Sequence, residues 1–177
     1  MNEKRYERRR RTTNDRVPHI LKDLQHTLTS RGLTISVCES CTGGMLGSMI
    51  TSRSGSSAYF LGGIIAYANT VKQRVVGVRS RTLLTSGAVS ARTAREMAQH
   101  VRQITGSDIG ISITGIAGPA GGTRSKPVGL VYVSAADKNV CLVQRFQFHG
   151  SRAFIRKNAC LGSLQTLKAL VSKGKAS

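Results

Sequence analysis

The sequence predicts an α/β protein, a three-layer α/β/α sandwich built on a mixed β-sheet. Three observations predict it. In the earlier part of the chain, β-branched runs alternate with segments of helical periodicity, the pattern of strands covered by helices. Two consecutive strands then follow, separated by Asp137-Lys138-Asn139, a turn that makes a hairpin and so an antiparallel pair. Finally, the glycine-rich segments 40–44 and 115–122 each leave the end of a predicted strand, where sheets of this kind bind ligands. A chain of 177 residues with 40% hydrophobic content is long enough to bury a real core as one domain.

Element by element, residues 1–16 are polar and dense in arginine, without periodicity, and read as a flexible basic arm ahead of a single domain at 17–177. Pro18 suits the first turn of a helix whose apolar residues Ile20, Leu21, Leu24 and Leu28 share one face, ending near Gly32. Residues 33–39 (LTISVCE) form a buried strand, and the loop 40–44 leads into a short helix reaching Ile50. After a turn or short helix at GSSAYF, residues 62–68 (GGIIAYA) make the next strand. Asn69 can cap a helix that carries Lys72 and runs to about Val76. Ser90 caps ARTAREMAQHVRQIT, with Ala94, Met97, Ala98 and Val101 inward, and Gly106 ends it. Residues 108–115 are a third strand, followed by the loop 116–127 and the hairpin. In the last helix, from Ser151, Cys160, Leu164, Leu167 and Val171 lie on one stripe.

The charge balance, 27 Lys+Arg against 8 Asp+Glu for a net +19, attracts anions: nucleic acid, acidic membranes or phosphorylated small molecules. Seven basic residues lie within 1–16, and after Glu39 the only acids are Glu96, Asp108 and Asp137. The longest mostly apolar run, 58–68, is too short to span a bilayer. With no apolar leader and four scattered cysteines, the expectation is a cytoplasmic protein with reduced thiols and no membrane partner.

Cys38 and Cys41 have C-x-x-C spacing, but Cys141 and Cys160 are isolated and the histidines lack ligand spacing. Cys38 ends a strand, whereas a redox dithiol has its first thiol at a helix N-terminus. Inert thiols are the expectation, with no metal and no cofactor. Ser40 stands where a strand turns toward a helix, whose N–H groups can hold an oxyanion or phosphate. The same position suits an ordinary cap. Lys72 follows the next strand; desolvated, it could act as a general base toward Ser40, and solvated it would be an ordinary helix lysine. Tyr67 is a possible donor or a strand-end residue. The loop 114–122 matches no phosphate-loop motif and is either a binding loop or a surface loop. Arg152 and Arg156 crowd a helix start, unfavourable for cations unless an anion is near, and are either phosphate-binding or solvated.

With these residues in hand, the chain resembles the CinA C-terminal domain family, the nicotinamide-nucleotide amidohydrolases, from about residue 17 to 170. The carriers are ESCTGG (39–44), GSSAYFLGGIIAYAN (55–69), GAVS (87–90), TGIAGPAGG (114–122) and KPVGLVYV (126–133). The resemblance implies hydrolysis of the carboxamide of nicotinamide mononucleotide, a phosphorylated nucleotide, to nicotinate mononucleotide and ammonia. It places the nucleophile on Ser40, the base on Lys72 and an orienting or relaying hydroxyl on Tyr67. It further implies substrate contacts from Thr42, Gly43, Gly44, Asn69, Thr114, Gly115, Gly118, Gly121 and Arg152. The oxyanion would lie on N–H groups around Thr42–Gly44. A homo-oligomer is also implied, and a stand-alone form without the further N-terminal domain of longer relatives. Asn-Thr-Val-Lys (69–72) stands where the family commonly has Asn-Glu-Ala-Lys, and Gly-Ser-Arg (150–152) where it often has Gly-Asp-Arg. Fewer acids there raise the local positive potential. Two alternatives stand beside the amidohydrolase: a relative that binds a nucleotide without turnover, and nucleic-acid binding through the basic arm.

Overall fold

A computed structural model describes the backbone of residues 3–173 and the side chains of residues 16–172. Helix α1 (Glu3–Ser30) reaches back well beyond Pro18, which lies inside it rather than at its first turn. The residues before Pro18 are rich in Arg, a good helix former, and the backbone there is helical. Next come β1 (Ile35–Glu39), α2 (Met45–Thr51), a single 3-10 turn at Ser56–Ala58, and β2 (Phe60–Ile65). Then follow α3 (Asn69–Arg74), α4 (Ser80–Thr85), α5 (Ala91–Thr105), β3 (Ile109–Gly115), β4 (Leu130–Ala136), β5 (Cys141–Gln147) and α6 (Arg152–Lys173).

The five strands form one mixed sheet in the order β2-β1-β3-β4-β5. β1 pairs parallel with β2 and β3, while β4 runs antiparallel to both β3 and β5. The expected hairpin is present: Asp137 Oδ1 accepts from the N–H groups of Asn139 and Val140 at 2.7 and 2.6 Å. Because β1 sends one connection to β2 and its other neighbour is β3, the crevice between diverging loops opens beyond the carboxyl ends of β1 and β3.

Alternation along β3 assigns the layers. Ile109, Ile111 and Ile113 join the core shared with Leu24 and Leu28 of α1 and Leu164 and Leu167 of α6. Gly110 and Ser112 face α5, where Ser112 Oγ donates to the Ala94 carbonyl at 2.6 Å. A Cβ on Gly110 would overlap the Ala98 carbonyl, so α5 can lie this close only over glycine. The caps of α5 are those read from the sequence: Ser90 Oγ accepts from Thr93 N at 3.1 Å, and Gly106 closes the helix at φ 69.

Two elements depart from expectation. β2 starts and stops earlier than 62–68, freeing Ala66 and Tyr67 for a loop. Helix α4 carries no long apolar period; it is held by tertiary contacts, since the buried Glu96 carboxylate of α5 accepts from Arg79 N at 2.9 Å and Thr82 Oγ1 at 2.7 Å. No helix among the described residues is long and apolar enough to cross a membrane.

Candidate active site

The carboxyl ends of β1, β2 and β3 enclose a cavity of about 270 Å³. Ser40 directly follows β1, and its N–H continues the sheet by donating to the Ile113 carbonyl at 3.0 Å. Lys72 comes from α3, the helix after β2, and is 1% exposed. Its Nζ lies 3.0 Å from Ser40 Oγ, 2.7 Å from the Ala66 carbonyl and 3.1 Å from the Tyr67 carbonyl. Lys72 is therefore no solvated helix lysine. Nor is Ser40 a cap: Gly44, at φ 91, occupies the N-cap of α2.

Three acceptors match the three protons of an ammonium. Among the described residues no carboxylate lines the cavity, and burial holds the Lys72 pKa below its ordinary 10.5. Once deprotonated, the amine can keep both carbonyls with its two N–H groups and turn its lone pair toward the Ser40 hydroxyl. The geometry thus serves both protonation states, which a proton shuttle requires.

Asn69, Thr114, Gly115, Gly118, Gly121 and Arg152, expected to contact a ligand, all line the cavity beside Ser40, Tyr67 and Lys72. Asn69 is not the helix cap; that position falls to Ala68, and no side chain caps α3. Thr114 Oγ1 donates to the Ala88 carbonyl at 2.7 Å, tying the end of β3 to the segment before α5. Arg152 donates to the Gly118 carbonyl at 2.8 Å and to the Tyr67 hydroxyl at 3.1 Å. The Tyr67 hydroxyl is accordingly engaged by a guanidinium rather than by Ser40 or Lys72. A proton relay through Tyr67 is not built into this arrangement; the part of Tyr67 that touches the pair is its carbonyl.

Thr42, Gly43 and Gly44 require a larger correction, since none of them lines the cavity. Thr42 is fully buried. Gly43 N donates to the Ser40 carbonyl at 3.1 Å. Gly44 N donates to Glu39, whose carboxylate also accepts from Leu46 N and Gly47 N, at 3.0, 3.1 and 2.8 Å. The Ser40 carbonyl and the Glu39 carboxylate thus take the Gly43 and Gly44 donors that the sequence offered to an oxyanion. Among the described residues, no acceptor takes the N–H of Cys41, which does line the cavity.

Glu39 is the residue that sequence reasoning passed over. Its signal was an acid ending an otherwise apolar strand just before Gly43-Gly44. At 1% exposure it anchors the turn that carries Ser40. Glu39→Ala should lower stability by about 3 kcal/mol, because three buried or part-buried N–H groups lose a charged acceptor. Urea denaturation measures this, and an unchanged midpoint would remove Glu39 from that role.

Both thiols of the C-x-x-C are buried, which pushes Cys38 up to about 12 and Cys41 up to about 11, and the reactive thiolate is disfavoured. Among the described residues, no cluster of His, Cys, Asp or Glu could hold a metal ion.

Fold and site together define a three-layer α/β protein with a serine–lysine pair buried beyond its parallel strands. The chain belongs to the CinA C-terminal domain family, whose model matches residues 18–171. A CinA-like protein from Citrifermentans bemidjiense is 48% identical over 141 residues, 80% of this chain and 34% of that one. Another from Geotalea uraniireducens is 51% identical over 125 residues, 71% of this chain and 30% of that one. The chain thus spans about a third of the length of the curated relatives it matches. The crystal structure of competence/damage inducible protein CihA from Agrobacterium tumefaciens superposes with TM-score 0.85 at 35% identity, covering 87% of this chain and 94% of that one. A competence or damage-inducible protein from Enterobacter asburiae gives TM-score 0.84 at 32% identity, covering 88% and 98%.

Proposed function

We propose that this protein hydrolyses the carboxamide of nicotinamide mononucleotide, releasing ammonia and nicotinate mononucleotide. The observation that carries the proposal is the buried Ser40–Lys72 pair, with no carboxylate to hold the lysine charged. Ser40 Oγ attacks the amide carbon while Lys72 accepts its proton. The developing oxyanion meets the Cys41 N–H, and Lys72 returns the proton to the departing nitrogen, so that ammonia leaves and an acyl-serine remains. Water, activated by the same lysine, then attacks the ester, regenerating Ser40 and completing a carboxylate. The substrate's cationic pyridinium withdraws electrons from the amide, which suits a nucleophile without an imidazole base.

Arg152 supports a phosphorylated substrate. Among the described residues it meets only the neutral Gly118 carbonyl and Tyr67 hydroxyl, so a phosphate can take its guanidinium without breaking an ion pair there. Gly121, where an added Cβ would meet only Ile116 at 3.9 Å, leaves the backbone open on the cavity side for such a ligand.

The test is ammonia release from nicotinamide mononucleotide, with the dephosphorylated nucleoside as a control. Release from the nucleotide in clear preference to the nucleoside supports the proposal. Binding without release would instead indicate a relative that holds the nucleotide without turnover. A pH profile adds a sharper check. Since only neutral Lys72 can accept the serine proton, kcat/KM should rise with pH along a limb centred below 10.5, the ordinary lysine value. A profile with no rising limb at any pH below 10.5 would exclude lysine as the base.

A further inference from the structure

We infer that Arg156 is a positioning residue that aims the Cys41 N–H at the cavity; this rests on the proposal that Ser40 is the nucleophile. Arg156 does not touch the cavity itself. From α6, one helical turn beyond Arg152, its Nη2 donates to the Thr42 carbonyl at 2.6 Å. The guanidinium lies against Gly43, where an added Cβ would stand 3.6 Å from Nη2.

Peptide planarity transmits this contact along the turn. The Thr42 carbonyl and the Gly43 N–H belong to one trans peptide and point in opposite directions. Turning the carbonyl toward Arg156 therefore turns Gly43 N–H toward the Ser40 carbonyl, which it meets at 3.1 Å. The Ser40 carbonyl in turn shares its peptide with the Cys41 N–H, whose direction is then also fixed. The Met45 N–H also reaches the Thr42 carbonyl, at 3.3 Å, and the shorter guanidinium contact adds to its hold on two successive peptide planes. Glu39 anchors the other end of the turn through Gly44, Leu46 and Gly47.

Arg156 is poorly explained as a stabilising residue. Its Nε is buried without a hydrogen-bond partner among the described residues, a cost that an apolar side chain would not carry. Packing through the stem would survive in methionine, while the hold on Thr42 would not. Position and cost together point to a role in orienting the turn.

The experiment compares wild type with Arg156→Met, Arg156→Lys and Arg156→Ala. Arg156→Met should melt at the same or a higher temperature. Its kcat should nevertheless fall on the order of 10- to 100-fold, with KM changing much less, somewhat below the effect of removing an oxyanion donor outright. Arg156→Lys should recover part of kcat, and added guanidinium should partly restore Arg156→Ala. Labelling of Ser40 by a fluorophosphonate, which also develops charge on oxygen, should slow in Arg156→Met in parallel with kcat. Wild-type kcat and labelling in Arg156→Met would overturn the inference while leaving Ser40 as nucleophile. So would a loss accompanied by a collapse in melting temperature and insensitive to guanidinium. Failure of the wild type to label at Ser40 would overturn the nucleophile proposal and this inference with it.

Discussion

Replacing Ser40 with alanine should reduce ammonia release from nicotinamide mononucleotide by roughly 10⁴- to 10⁶-fold, to the background of the assay. The expected size follows from the arrangement at the site. Ser40 is the only serine lining the cavity among the described residues, and its Oγ is the side-chain atom that Lys72 meets. The hydroxyl makes one side-chain contact, so its removal leaves the Lys72 ammonium one acceptor short at a cost of about 1 kcal/mol. The variant should therefore fold, bind the nucleotide and keep the wild-type circular dichroism spectrum. Release at the wild-type rate would dismiss Ser40 as nucleophile.

The second large effect concerns Lys72. Lys72→Met should fold and lose activity by about 10³- to 10⁴-fold, at the upper end of what a general base contributes. Methionine leaves the Ala66 and Tyr67 carbonyls without their donor, but it also removes a buried ammonium that no carboxylate neutralises. These effects oppose each other, and net stability should change little at neutral pH. Lys72→Arg separates charge from basicity, because guanidinium cannot deprotonate at working pH. If Lys72 only supplied positive charge, the arginine variant would retain substantial activity; the proposed mechanism predicts that it does not.

Lys72 also gives a stability signature with a definite sign. Its folded pKa is lowered by burial from 10.5, so between the folded value and 10.5 the unfolded chain holds more protons. Stability should rise with pH through that window. Below the folded pKa, the full penalty of burying the ammonium remains. The rise should be missing in Lys72→Met, as urea midpoints across the alkaline range would reveal.

Most of the architecture is legible in local sequence. Residues 109–115 and 130–136 are strands because β-branched runs favour the pleat, and Asp137-Lys138-Asn139 turns between strands β4 and β5. Ser90 and Gly106 bound α5 through cap chemistry that needs no distant partner. The stripe Cys160, Leu164, Leu167 and Val171 in α6 packs inward as its spacing requires. Helix α4 was not legible, because Glu96, on another helix, holds it in place.

At the site the division is sharper. Sequence motifs named Ser40 and Lys72, and glycine placement located the loops around them. The sequence could not decide between a cap and a nucleophile at Ser40, or between a solvated and a buried lysine at residue 72. Parallel pairing of β1 with β2 buries the lysine and leaves Ser40 outside the cap, bringing side chains 32 residues apart to 3.0 Å at the cavity. Sequence spacing likewise suggested free N–H groups at Gly43 and Gly44, which Ser40 and Glu39 in fact occupy. Arg156, 114 residues from Thr42, reaches that turn only after α6 has packed on the sheet. Propensity and capping act over a few residues, and so the chain determines its elements by itself. Burial, proton affinity and the direction of a peptide N–H depend on neighbours that only the folded sheet assembles.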